Sequence, residues 1–216
     1  MTGDAWVFPI GHYLGPFHPR RDAPVDYHRV RVGRETVRLF TDDELAAWLL
    51  AHGLPGTAAD RPWSRQAIEA AAREQGGDDR AAAVSGALSE LIGEGAMVEV
   101  PDGTGAGIGF ATAHRFCPLL VGLGADPRQP DQAIIGLTGN PVVTMDELGF
   151  QVWQWAGLYA NLWAACQAFV EVGDRLSGSF VTSPGRPGSP EEMLAKVLRR
   201  VHRLLAHGAG YLDVTS

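Results

Sequence analysis

From Tyr27 to Val32 the chain alternates: His28, Val30 and Val32 fall on one side, Tyr27, Arg29 and Arg31 on the other. That period of two predicts a half-buried strand. The segment "ETVRLF" (35–40) continues as its partner, with Gly33 and Arg34 as a tight turn between them. Upstream, "AWVFPIGHYLG" reads as aromatic-rich strand broken at Pro-Ile-Gly, and "PFHPRRDAP" as a loop. At Thr41 the period changes. Leu45, Trp48 and Leu49 recur at helical spacing, Glu44 stands three residues after Thr41 to complete a capping box, and Gly53 closes the helix. Ser64 caps a second helix with Ile68, Ala71 and Ala72 inward. A third, "DRAAAVSGALSELIGEG", carries Val84, Leu88, Leu91 and Ile92 on one stripe and ends at Gly93 or Gly95. "AMVEVPDGTGAGIGFATA" then predicts a short strand, a glycine-rich tip and another apolar stretch.

Residues 110–130 read as a short helix or strand entering a Gly/Pro loop, the natural place for a domain boundary. Beyond it the pattern starts over. "AIIGLTGNPVV" predicts strand, Gly-Asn turn, strand. Without gaps, "VRLFTDDELAAW" (37–48) lies over "VVTMDELGFQVW" (142–153), so that Thr41 meets Asp146 as the helix cap and Trp48 meets Trp153. "ELIGEGAMVEV" (90–100) resembles "LLAHGAGYLDV" (204–214) with one residue of slip, and "HYLGPFHPRRDAP" rhymes with "VGLGADPRQP". The shared order points to an internal duplication.

The second half's first helix is expected in "FQVWQWAGLYANLWAACQAF" (150–169), which holds three of the six tryptophans and no charge. It is long enough to span a bilayer, for which ~20 residues suffice. Gln151, Gln154, Asn161 and Gln167 interrupt it, and unpaired amides are costly in hydrocarbon. The stripe Trp155, Tyr159, Leu162, Cys166 and Phe169 fits a helix buried on more than one side, with its tryptophans at the junction between copies. A Pro/Gly/Ser-rich loop (177–190) is expected to be exposed and mobile, and an amphipathic last helix follows with acids at its start and bases toward its end.

Composition narrows the function classes. The 216 residues suffice for one large or two small domains, and 45% hydrophobic with 20% charged residues is ordinary for a soluble protein. A net charge of -7 argues against a general polyanion binder, which needs an excess of Lys and Arg. Lys196 is the one lysine, so arginine supplies the remaining 17 of 18 basic residues, a bias of the kind GC-rich codons produce. Cys117 and Cys166 lack metal-ligand spacing and read as reduced, buried thiols of a cytoplasmic protein. The N-terminus has no basic region followed by an apolar run, so no signal peptide is expected.

The hairpin, three helices and terminal strand, read from "HRVRVGRETVRLFTDDELAAWLLAHG" through "VSGALSELIGEGAMVEV", resemble the winged-helix superfamily. More narrowly they are similar to the peptide-recognition elements of bacterial modified-peptide biosynthesis. The resemblance covers roughly residues 25–100, with a weaker echo over 131–214, and rests on element order rather than on a signature motif. It implies a peptide that adds as a strand to the hairpin, next to the third helix. The long N-terminal segment, a wing after the third helix and the second copy depart from the narrower family.

Candidate chemistry is sparse. "GTGAGIG" lacks the Walker spacing and a following Lys-Ser/Thr, and reads as a wing tip or linker. His12, His18 and His28 with Asp22 and Asp26 fit no compact metal motif. His114 and Cys117 stand three apart, a thiolate–base spacing on a helix, but no third group orients them. No catalytic signature appears, and no metal or cofactor is expected.

The expectation is therefore an α+β protein of two winged-helix-like modules, 1–109 and 110–216, acting as a non-catalytic protein- or peptide-binding accessory protein without a membrane partner. Arg38, Leu39 and Phe40 are the expected edge strand, with Leu88 and Leu91 lining its groove. The alternative is a DNA-binding regulator, in which a homodimer would double the reach, using Lys196, Arg199, Arg200 and Arg203 on the last helix. The ordinary reading of those four is a solvated helix face.

Overall fold

The computed structural model describes residues 5–56, 62–101, 104–177 and 188–215. It is mixed α and β, with the strands in small antiparallel sheets. Two compact units are defined. One comprises Met1–Asp102 with Tyr211–Val214 and Ser216, the other Gly103–Gly210 with Thr215.

In the first unit, β1 (Trp6–Pro9), β2 (His12–Phe17), β3 (Tyr27–Val32) and β4 (Glu35–Leu39) precede the helices α1 (Asp42–Ala51) and α2 (Arg65–Gly93), and β5 (Met97–Val100) follows. The alternation at 27–40 yields the expected hairpin: Val32 faces Glu35, leaving Gly33 and Arg34 as a two-residue turn in which Gly33 takes φ +58. β2 joins the other side of β3 to make a meander, with a bulge between Tyr13 and Gly15 where Gly15 takes φ +91. Thr41 and Glu44 form the capping box reciprocally. Ser64 accepts from the Ala67 amide, as a cap should. Gly76 and Gly77 leave helical geometry, so α2 is two helices meeting at a kink, which preserves the three-helix count.

β5 does not begin a wing. It pairs antiparallel with β1, Trp6 facing Val100 and Pro9 facing Met97. The glycine-rich stretch expected as a wing tip or linker is instead, from Thr104 onward, the helix α3 (Thr104–Ala113). Tertiary packing overrides glycine's poor helix propensity here: Gly107 lies where a Cβ would already touch Leu194. The first unit's core gathers Val7, Phe8, Ile10, Val30, Trp48, Ile68 and Met97, all buried. The Trp48 and Trp63 indoles donate to the Ile10 and Leu50 carbonyls.

The second unit opens with α3 and β6 (His114–Pro118), then β7 (Val121–Asp126), β8 (Gln129–Leu137) and β9 (Asn140–Asp146) as a second meander. Its β7–β8 register also slips, between Gly122 and Gly124, where Gly124 takes φ +95. Leu137 faces Asn140, so the turn is Thr138–Gly139 rather than Gly139–Asn140; the positive φ falls to Gly139, and Asn140 is already paired.

Asp146 caps α4 (Glu147–Trp155) by accepting from the Gly149 amide. The uncharged helix expected over 150–169 is broken. A 3-10 turn at Ala156–Leu158 and extended Tyr159 intervene, and Asn161 caps α5 (Leu162–Ser177) by accepting from the Ala164 amide. Gly157 permits the break, since a Cβ there would meet the Phe116 carbonyl and Pro118. The break also moves Trp155 off the expected buried stripe: it is 44% exposed, while Trp153 and Trp163 are half-buried. Among the described residues no helix is long and apolar enough to cross a membrane.

α6 (Pro190–Ala206), capped by Ser189, buries Val197, Val201 and Leu204 and packs against α4 and α5, and β10 (Gly210–Val214) follows, its residues from Tyr211 onward belonging to the first unit. The loop expected at 177–190 lies mostly outside the described residues.

Candidate functional site

β4 is the outer strand of the β2-β3-β4 sheet. Around a two-residue turn, hydrogen-bonded and non-hydrogen-bonded pairs alternate starting from the bonded pair Val32 and Glu35. Val37 and Leu39 therefore spend their backbone groups on β3, and the N–H and C=O of Thr36 and Arg38 point away from the sheet. A free edge of this kind is a template for another strand. Just past the strand, the Phe40 amide is taken by the Glu44 carboxylate at 2.5 Å, which ends pairing and fixes where α1 begins.

The five residues expected at the peptide site separate into two sets. Arg38 and Phe40 are exposed, Phe40 by 63% of its surface. Leu39, Leu88 and Leu91 are core, each at most 1% exposed. Leu39 shares a sheet face with buried Val30, because alternation sends every second side chain inward. The expected leucine-lined groove is therefore absent here, and the accessible part of the site is the edge backbone with Arg38 and Phe40.

On the outer face of the sheet three arginines lie over three rings: Arg38 over Tyr27 at 5.0 Å, Arg29 over Phe17 at 5.8 Å, and Arg31 over Tyr211 at 6.0 Å. Phe17 and Tyr27 stack with each other at 4.7 Å, and Tyr27 tilts against Phe40. Arg31 also donates to the Tyr211 hydroxyl. Among the described residues no Asp or Glu pairs with these three arginines. The Tyr27, Arg29, Arg31 alternation was the one available signal; the pairing of each guanidinium with a ring was not visible in it.

The basic residues of the last helix are placed differently. Arg200 grips Asp146 at 2.6 Å, and Arg203 donates to the Thr144 carbonyl. Arg199 is exposed and Lys196 half-buried. Arg200 and Arg203 thus serve to bind α6 to β9 and the start of α4, so the four do not make the continuous free face that reading phosphates requires. Burial pushes the Asp146 carboxyl up, but the Arg200 hydrogen bond, the Gly149 amide and the charges of Arg200 and Arg203 outweigh it, and its pKa lies below the ordinary value.

The remaining titratable candidates have local roles. His12 packs on Tyr211, His18 bonds the Ala23 carbonyl, and His28 bonds the Tyr13 hydroxyl at 2.6 Å. No three His, Cys, Asp or Glu side chains converge among the described residues. His114 and Cys117 lie on strand β6, not a helix, so a spacing of three sends them to opposite faces. Burial pushes the Cys166 thiol up to about 12, which makes it a poor nucleophile.

No family model matches this chain, and no curated protein or solved structure matches it either.

Proposed function

We propose that the protein is a non-catalytic, peptide-binding accessory protein built from two copies of one winged-helix-like module, and that it captures a partner segment as an added strand along β4. The free outer edge at Thr36 and Arg38, flanked by exposed Phe40, is the observation that carries this reading.

The duplication draws support from details shared by the two units. Residues 6–100 run strand, three-stranded meander, three helices, strand, and residues 114–214 repeat that order with a 3-10 turn between the first two helices. Each meander is bulged at a glycine of positive φ, Gly15 and Gly124. Thr41 and Asp146 cap the first helices, and Ser64 and Asn161 the second. At the end of the third helix Ala96 donates to Leu91, and Ala209 to Leu204, both at 2.9 Å, after glycines of φ +74 and +62. Ile10 then donates to Ala96 in one unit and Leu119 to Ala209 in the other.

Strand addition predicts that the Thr36 and Arg38 amides gain hydrogen-exchange protection when a binding peptide is present. Arg38→Pro removes one edge donor without touching the core and should abolish binding. Unchanged exchange at both amides across a peptide library would refute the proposal.

A further inference from the structure

We infer that the segment captured along β4 is acidic, its carboxylates seated on the guanidinium groups of Arg38 and Arg29. This rests on the strand-addition reading and names the chemistry of its partner. The first argument is charge. The chain carries 25 acidic residues against 18 Lys and Arg, yet Arg29, Arg31 and Arg38 share one sheet face with no carboxylate pairing them among the described residues. The Nε atoms of Arg29 and Arg31 are buried without a hydrogen-bond partner, so both charges are partly stripped of water, and Arg31 alone is partly repaid by its bond to the Tyr211 hydroxyl.

Placement over rings supplies the second argument. A guanidinium held at a ring face by cation–π attraction keeps N–H groups for a carboxylate. The same placement weighs against single-stranded nucleic acid. A base needs an open ring face, but Phe17 and Tyr27 cover each other, and Arg29 and Arg38 lie over them.

Register gives the third. Arg38 stands directly opposite Arg29, so both side chains leave the same face. A strand added beyond β4 sits about 4.8 Å away and places every second side chain on that face, beside Arg38 first and Arg29 behind it. Partners with Asp or Glu at alternate positions satisfy this. The second unit offers a contrast, because β7, β8 and β9 contain no Arg or Lys.

The test uses the full chain and a fluorescein-labelled peptide of about eight residues, a long strand's length, alternating Val with Glu, beside the same peptide with Gln for Glu and an oligothymidylate of similar length. The Glu peptide should bind at least about tenfold tighter than the Gln peptide, the effect of one hydrogen bond to a charged group. It should weaken with salt, and shift the Thr36 and Arg38 amides while leaving 121–146 unmoved. Arg38→Gln, at an exposed position that leaves the fold intact by circular dichroism, should lose that preference, and Arg38→Lys should restore only part of it. Equal binding of Glu and Gln peptides with both amides shifted would overturn the acidic partner and keep strand addition. If neither these peptides nor any member of a peptide library shifts them, both readings fall. Oligothymidylate binding that Arg38→Gln abolishes would reassign the face to nucleic acid.

Discussion

The Gly33 amide donates to the Asp213 carboxylate at 2.6 Å, joining the turn of the first hairpin to a residue 180 positions later. Gly33 cannot be varied freely there: its φ is +58, and a Cβ would stand 2.7 Å from Val214. Beside it the Gly11 amide donates to the Leu212 carbonyl. Residues 211–214 are thus part of the first unit's fabric, and the hairpin that presents β4 depends on the end of the chain. Asp213→Ala is expected to cost ~1.5–3 kcal/mol, the range for a hydrogen bond to a charged group, read as a lower urea midpoint. Ending the chain at Gly210 should in addition release the amides of β3 and β4 to fast hydrogen exchange.

Asp146 joins three elements through one carboxylate, capping α4 while holding Arg200 of α6. Asp146→Ala should cost about 1 kcal/mol for the lost cap, with a small further loss from the half-exposed ion pair. The folded pKa lies below the unfolded one, so the contribution is whole above the ordinary Asp value of about 3.9 and disappears as pH falls through the folded value. Carbon-detected titration should place the Asp146 midpoint below the ordinary Asp value of about 3.9 in wild type and move it upward in Arg200→Gln.

His52 titrates low. Burial against Trp48 brings its pKa to about 4, outweighing the carbonyls of Trp48 and Leu49, which favour the charged ring. Unfolded, it returns to 6.5. Between those values the unfolded chain takes up the extra proton, so stability falls as pH falls across that window. Proton NMR should find the His52 midpoint near 4. His52→Gln should flatten the loss of stability between about pH 6.5 and about pH 4.

Cys166 is fully buried on α5 with its thiol raised to about 12. Iodoacetamide at neutral pH should leave it unmodified in the native protein and label it once urea unfolds the second unit, as mass spectrometry of the peptide containing Cys166 will show.

Of the two exposed members of the basic set on α6, Arg203 bonds the Thr144 carbonyl and the other is Arg199. Charge reversal at Arg199 should alter stability by no more than about 0.5 kcal/mol, as for surface positions away from special features. Arg200→Glu should cost more, since it faces the Asp146 carboxylate with a second negative charge.

The legible parts of the fold were those settled within a few residues. Thr41 with Glu44, Ser64, Asp146, and Gly33 with Arg34 all do what their local chemistry predicts. Three segments went otherwise, each because a distant neighbour decided. The glycines of α3 are helical where Gly107 approaches Leu194. The aromatic run at 150–169 breaks at Gly157, pressed against Phe116 and Pro118. Leu39, expected on the edge strand, and Leu88 and Leu91, expected to line its groove, are interior.

The candidate site follows the same division. Sequence alone determined that β3 and β4 form a hairpin and that Arg29, Arg31 and Arg38 share its polar face, because side-chain direction in a strand depends only on parity. Tertiary structure alone decided that β4 stays at the sheet's edge, and that Tyr211 is brought from the far end of the chain to lie under Arg31. Which strand pairs with which, and which ring meets which cation, are contacts between residues far apart in sequence, and parity within one strand carries no record of them.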